Sequence, residues 1–316
     1  MELTAGRRLT LGLFSTSLVA RTARDGGHFA AHGLEVAEVP VSSSRSQFRG
    51  LLDGAYDLVL TSPDNVLAYR LDEGNPLGGT HDVRIIAAVD RGLGLSLVGA
   101  PGVRTFDDLR GQVLAVDVPD SGFAFTLYRM LETAGLRRDI DYRVEAAGTT
   151  PRRREALLAA AAAPPSGRRF AATLLGSGHD VIAVRAGCHR IARAAELIQP
   201  YLGTVLAGFG PWMDAHGDLI DDFLAAWLAA AAEVADPRRR AATLQAIGAH
   251  MHLTGADAAD FHRVLVSPGE GLSTDGRVDA AALAAVARLR ADLGRLGKTA
   301  PDAETLAASA LIHLRR

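Results

Sequence analysis

Cysteine is almost missing from this chain of 316 residues: Cys188 is the only one. A lone cysteine cannot close an intrachain disulfide or supply a cysteine-based zinc site, so neither is expected within one chain. Lysine is equally scarce. Among 34 basic residues only Lys298 is a lysine, and it sits in a polar segment near the C-terminus. A Schiff base to pyridoxal phosphate or to a carbonyl substrate needs a lysine, so that chemistry is not expected. Long apolar runs are absent too. The longest, Phe223 to Ala232, is far short of the ~18–20 residues that span a bilayer. Nor is there an excess of one charge. The 34 basic and 36 acidic residues leave a net charge of -2, which argues against a nucleic-acid partner and against electrostatic attachment to an anionic membrane. No G-x-G-x-x-G follows a strand, and P-loop and G-x-S-x-G motifs are missing, so no nucleotide cofactor is expected. His250-Met251-His252 and His262 could suggest a metal. A pair two apart on a helix does not share a face, however, and no carboxylate completes the set.

What is present is a rhythm of short apolar strands and helical stretches. Arg7-Arg8 before Leu9–Phe14 mimics a leader peptide. Thr10, Gly12, Ser15, Thr16 and Ser17 break the apolar core, so the segment reads as a first strand. As written, the chain is expected to be cytoplasmic; a removed leader would make it periplasmic or extracellular. The pattern predicts a helix over about Val19–Ala31, a strand at Leu34–Pro40, and a helix through Asp53 capped by Ser44 or Ser46. A strand at Asp57–Leu60 leads into the cap Thr61-Ser62-Pro63, a hydroxyl before a proline at the first helical position. Strands follow at Val83–Val89, Leu95–Val98, Val113–Val116, Tyr142–Ala146 and Phe170–Leu175. Ser121-Gly122 opens a helix through Thr133, and Pro151–Ala162 forms another. His189–Ala192 and Thr204–Ala207 are further strand candidates. From Pro211 the pattern is helical: Pro211–Ala235, then Asp236 to about His252, Ala256–Leu265, Asp279–Leu296 and Pro301–Leu314. Strand–helix alternation followed by helices predicts an α/β fold with parallel sheets. Leu58, Val59, Ile85, Ile86, Val113, Val116, Thr173 and Leu174 fit its central strands.

Several stretches carry a resemblance. Gly33-Leu34-Glu35-Val36, Leu51-Leu52-Asp53-Gly54-Ala55-Tyr56-Asp57-Leu58, Asp107-Asp108-Leu109-Arg110-Gly111 and Tyr201-Leu202-Gly203-Thr204-Val205 occur in that order. The set, spanning about Leu9 to Ala249, resembles the substrate-binding proteins of ABC importers, of the nitrate/sulfonate/taurine type. The resemblance implies a two-lobed type II periplasmic-binding-protein fold, each lobe a mostly parallel sheet flanked by helices. Lobe one would comprise 1–99 and 205–316, and lobe two 100–204. The crossovers would lie near Gly99–Pro101 and Gly203–Ala207 and would hinge around a small-molecule ligand. An ABC permease is the partner implied, with no nucleic acid and no membrane insertion. Some proteins similar in fold are enzymes, so a decarboxylase, desulfinase or dehydratase-like lyase is the alternative. The desulfinase type uses a cysteine in the first strand–helix loop, where this chain has Ser15-Thr16-Ser17.

Ligands of open parallel sheets bind beyond the carboxyl ends of strands. Small polar residues gather there: Ser15, Thr16, Ser17, Ser43, Ser44, Thr61, Ser62, Asp90, Arg91, Ser121, Gly122, Ser177 and His179. Several precede helices, whose free N–H groups favour an anionic group such as a sulfonate or carboxylate. The same hydroxyls also suit plain helix capping. Arg45 or Arg91 could pair such a ligand bidentately. In the related importers a plain loop often follows this strand, where here Gly176-Ser177-Gly178-His179-Asp180 brings an imidazole. If the chain is an enzyme, His179 is the catalytic candidate, titrating near neutral pH.

Overall fold

In the computed structural model, which describes residues 7–162, 170–294, 301–308 and 311–312, the strands come in two groups. The chain first lays down β1 (Arg7–Leu13), β2 (Leu34–Pro40), β3 (Leu58–Thr61) and β4 (Val83–Asp90). It continues with β5 (Ser96–Gly99), β6 (Val113–Val116), β7 (Arg143–Ala146), β8 (Ala172–Leu175) and β9 (His189–Arg193), and ends with β10 (Thr204–Phe209). They form two five-stranded sheets, in the orders β2-β1-β3-β10-β4 and β7-β6-β8-β5-β9.

The sheets share one plan. In the first, β1 runs parallel to β2 and β3, while β10 lies antiparallel between β3 and β4. In the second, β6 runs parallel to β7 and β8, while β5 lies antiparallel between β8 and β9. Each antiparallel strand is the first one laid down after the chain crosses from one sheet to the other. The first crossing therefore falls between Asp90 and Ser96, upstream of the expected Gly99–Pro101. Ala100-Pro101-Gly102 is instead a turn that leaves β5, a strand of the second sheet. The return lies between Arg193 and Thr204. Ile85 and Ile86 also sit elsewhere than expected. Their strand, β4, is outermost among the named strands, and its Ile85 N–H donates to the Leu311 carbonyl (2.8 Å). A strand covered on its free edge carries the same apolar run as a central one.

Helices pack on both sheets. Early ones are α1 (Leu18–Asp25), α2 (His28–Ala31), α3 (Ser44–Leu52) and α4 (Pro63–Leu71). With the second sheet come α5 (Gly122–Thr133), α6 (Thr150–Ala162), α7 (His179–Arg185) and α8 (Ala194–Leu197). The rest are α9 (Gly210–Ala215), α10 (Gly217–Ala235), α11 (Arg240–Met251), α12 (Gly255–Leu265), α13 (Ala280–Leu293) and α14 (Ala303–Ala308). The single helix expected over Val19–Ala31 is two, interrupted at Gly26-Gly27, and the one over Pro211–Ala235 breaks at His216. Lys298 and the far ends of the last two expected helices lie outside the described residues.

The alternation of β1 turns Leu9, Leu11 and Leu13 into a core shared with Ile220, Phe223 and Trp227 of α10. These three recur at helical spacing, and Phe29 stacks on Phe223 with ring centroids 5.6 Å apart. The second sheet has its own core, including Leu97, Leu114, Phe125 and Leu174. Helix α13 serves two cores. Its Leu283, Val286 and Ala287 pack under the first sheet with Val59 and Ile85, while Leu289 enters the core of the second. Beside it, Arg290 and Asp64 form a buried bidentate ion pair (Nε–Oδ1 2.7 Å, Nη2–Oδ2 2.6 Å). The same guanidinium lies over the Phe125 ring, 5.2 Å from its centroid. Among the described residues, no helix is long and apolar enough to cross a membrane.

Candidate ligand-binding cleft

The carboxyl ends of the parallel strands in both sheets point at one another across a cavity of about 230 Å³. Phe14, Phe123, Phe261 and Leu265 give it apolar walls, and polar loops close its ends. Ser15, Thr16 and Ser17 follow β1, and Ser43 and Ser44 follow β2. Thr61 and Ser62 lie at the end of β3 and Asp90 ends β4. From the second sheet come Ser121 and Gly122 after β6, and Ser177 and His179 after β8. All of these line the cavity. Arg91 is not among its lining residues, and its guanidinium donates to the Leu272 carbonyl (3.1 Å). Arg45 is exposed on α3.

The capping role open to the hydroxyls is realised at four places. Ser17 accepts from the Ala20 N–H (3.3 Å), Ser62 from that of Asp64 (3.3 Å), and Ser121 from that of Ala124 (3.1 Å). Ser43, rather than Ser44 or Ser46, caps α3, in a reciprocal box with Ser46. Each cap satisfies one of the free donors that a helix start leaves, and fixes the direction of that start. Ser121 is occupied twice over, because its hydroxyl also donates to Asp117.

The charged groups decide the electrostatics. Arg153, in the first turn of α6, is only 2% exposed and lines the cavity. Its guanidinium donates to the carbonyls of Gly148 (2.6 Å) and Leu174 (3.4 Å) and to Thr150 Oγ1 (3.1 Å). All three acceptors are neutral. Burial pushes the Arg153 pKa down, opposed by the nearby charge of Asp117. Burial pushes that of Asp117 up, opposed by Arg153 and by the Ser121 hydroxyl. Asp90 is buried, and desolvation pushes its carboxyl up to about 6. Its Oδ1 accepts the Gly92 N–H (2.8 Å) and its carbonyl the Gly203 N–H (3.0 Å), so one residue ties together the two crossings. A Cβ at Gly203 would lie 2.2 Å from that carboxylate oxygen, so the contact needs glycine.

His179 opens α7 after Gly178. Its Nδ1 lies 3.0 Å from Arg154 Nη1, which can only donate, so the ring is neutral and carries its proton on Nε2. Burial first, then Arg154 and Arg153, hold its pKa down to about 4. Titration near neutral pH, which the catalytic reading required, is therefore not what this environment gives. Asp180 does not orient the imidazole; it is buried and bonded to Arg190 (2.6 Å).

Two charged groups of the cavity, Arg153 and Asp117, were not among the sequence candidates, nor were the lining residues Asn65, Tyr201 and Thr204. Arg153 lies four residues before the buried Leu157, on the inner face of α6. Arg154 stands three residues before the same leucine, so helical spacing alone does not separate the two, and no signal in the sequence singles Arg153 out.

Two facing α/β sheets, each with one reversed strand, and a cleft between their strand ends define a two-lobed binding-protein fold. Solved structures carry the same fold over nearly the whole chain. The alkanesulfonate-binding protein SsuA of Xanthomonas axonopodis pv. citri, solved with MOPS bound, superposes with a TM-score of 0.73 at 16% identity, covering 98% of this chain and 99% of that one. A Candida albicans gene product, described as having the generic periplasmic binding protein fold, gives 0.71 at 13% identity over 97% and 96%. The periplasmic nitrate-binding protein NrtA of Synechocystis PCC 6803 gives 0.67 at 12% identity over 84% and 72%. No protein-family model and no curated protein matches the sequence.

Proposed function

We propose that this chain is a substrate-binding protein of the ABC-importer type, which holds a small sulfonate- or carboxylate-like anion between its two sheets. The observation that carries the reading is Arg153. A cation almost fully removed from water, with only neutral oxygens as hydrogen-bond partners among the described residues, is costly to keep buried. Asp117 offsets part of that cost from nearby, and a bound anion would add a charge in direct contact and accept the guanidinium fork. The capped starts of α1, α3, α4 and α5 add positive dipole ends around the same space. The phenylalanine walls suit an alkyl or aryl remainder. Two similar folds bind an alkanesulfonate and nitrate by their names, which agrees with an anion here. The role implies transfer to an ABC permease, and a site of action outside the cytoplasmic membrane.

Catalysis as a lyase has less support, because the imidazole that would act as acid or base stays neutral across the physiological range. The test is a thermal-shift screen of short sulfonates and carboxylates against neutral sulfones and amides of the same shape. Anions should raise the melting temperature and their neutral counterparts should not. Equal stabilisation by both would refute the anion reading.

A further inference from the structure

A second cavity, of about 400 Å³, adjoins the first. Phe14, Ser15, Thr16, Ser177, His179 and Met251 line both. The chemistry beyond them differs. Among the described residues, Arg21 and Arg154 line the second cavity together with a single carboxylate, Glu38. That carboxylate is already bracketed, by Arg21 at 3.0 Å and Arg24 at 3.6 Å, so the compartment is net cationic.

Arg154 follows Arg153 in the first turn of α6. Successive helical residues point about 100° apart, and here the two guanidiniums line different cavities, Arg153 the first and Arg154 the second. Arg154 is poorly matched. One N–H goes to the neutral His179 ring at 3.0 Å. Its ion pair with the exposed Glu155 is loose, at 3.8 Å. Its Nε is buried and, among the described residues, has no hydrogen-bond partner. A buried donor left unmade is expensive, and an anionic oxygen is the acceptor that best completes it.

Building on the anion reading of the cleft, we infer that the ligand carries two anionic groups, one held by Arg153 and the other reaching past His179 to Arg154. Disulfonates, sulfocarboxylates and dicarboxylates form this class. A compound with one anionic end would fill the first cavity and leave Arg154 as it stands. The neutral imidazole between the arginines suits this division. It adds no third charge, and its Nδ1 holds the Arg154 guanidinium in place.

Calorimetric titration of the full chain tests it. The probes are ethanesulfonate, propanesulfonate and butanesulfonate against ethane-, propane- and butane-disulfonate, with sulfoacetate as the mixed case. At least one two-headed compound should bind about tenfold or more tighter than its one-headed counterpart, as expected for an added charge-assisted hydrogen bond. Arg154→Gln should bring that ratio close to one, and Arg154→Lys should restore part of it. One-headed compounds binding wild type as tightly as two-headed ones would overturn the inference while leaving the anion reading intact. A preference that survives Arg154→Gln in a folded variant would also overturn it. If no sulfonate of either kind bound, the reading of the cleft itself would fail, and this inference with it.

Discussion

Arg153 and Asp90 are opposite cases of a charge kept from water. Among the described residues Arg153 has no carboxylate in hydrogen-bond contact, only the nearby charge of Asp117, and the proposed anion would complete its partners. Arg153→Met should therefore lower affinity for a small sulfonate about thirtyfold or more, the scale of one lost charge-assisted contact. Arg153→Lys should recover little, because a point charge does not reproduce the planar fork. Titration of each variant with the best thermal-shift ligand checks both. Asp90 concerns stability. Its folded pKa of about 6 stands above the ordinary aspartate value. The folded state thus favours the protonated form. That contribution is fully present below the unfolded pKa and is lost as pH rises through about 6. Asp90→Asn, which keeps an acceptor for the Gly92 N–H, should exceed wild type in stability near pH 7–8 by roughly 3 kcal/mol and match it near pH 4. Urea unfolding of both proteins across this range measures it. A variant less stable than wild type near pH 8 would show that the ionised carboxylate is needed where the crossings meet.

The starts of α4 and α5 meet at a contact that leaves no room. A Cβ on Gly122 would lie 2.4 Å from that of Asp64, whose carboxylate is held by Arg290 from α13. Gly122→Ala should destabilise the protein by about 1–3 kcal/mol through overpacking. Arg290→Met should cost more, about 3–5 kcal/mol, because it strands a buried carboxylate. Adding Asp64→Asn to that variant should return part of the loss, and denaturant unfolding of the singles and the double reads the coupling. Much at this scale was legible in the sequence. Leu34–Pro40, Val113–Val116 and the helix opened by Ser121-Gly122 lie where local alternation and capping put them, since those signals act within a few residues. The crossing near Asp90 was not legible, because Gly–Pro punctuation marks any tight turn and does not say which sheet the next strand joins. Arg153 was hidden for another reason. Nearly every cation here is an arginine, so one that turns inward looks like its neighbours until the helix face is fixed by packing.

For the molecule as a whole, we propose a division into two lobes on the strand pairing. One lobe would hold the strands up to Asp90 and from Thr204 onward, and the other those from Ser96 to Arg193. Helix α13 packs into cores on both sides, and Arg129–Asp292 (2.6 Å) and Arg193–Glu270 (2.7 Å) add links between the second strand group and the C-terminal helical part. Closure around a ligand should then be a modest rotation. Small-angle scattering should show a slightly smaller radius of gyration at saturation, and no change would contradict hinge closure. The central claim is that a buried arginine in the cleft binds an anion. Isothermal titration of wild type and Arg153→Met with propanesulfonate, and of wild type with a neutral sulfone of the same size, tests it most directly. Wild type should bind the sulfonate one-to-one, with weak or no binding in the other two titrations. Equal affinity of the sulfonate for both proteins, or of the sulfone and the sulfonate for wild type, would contradict it.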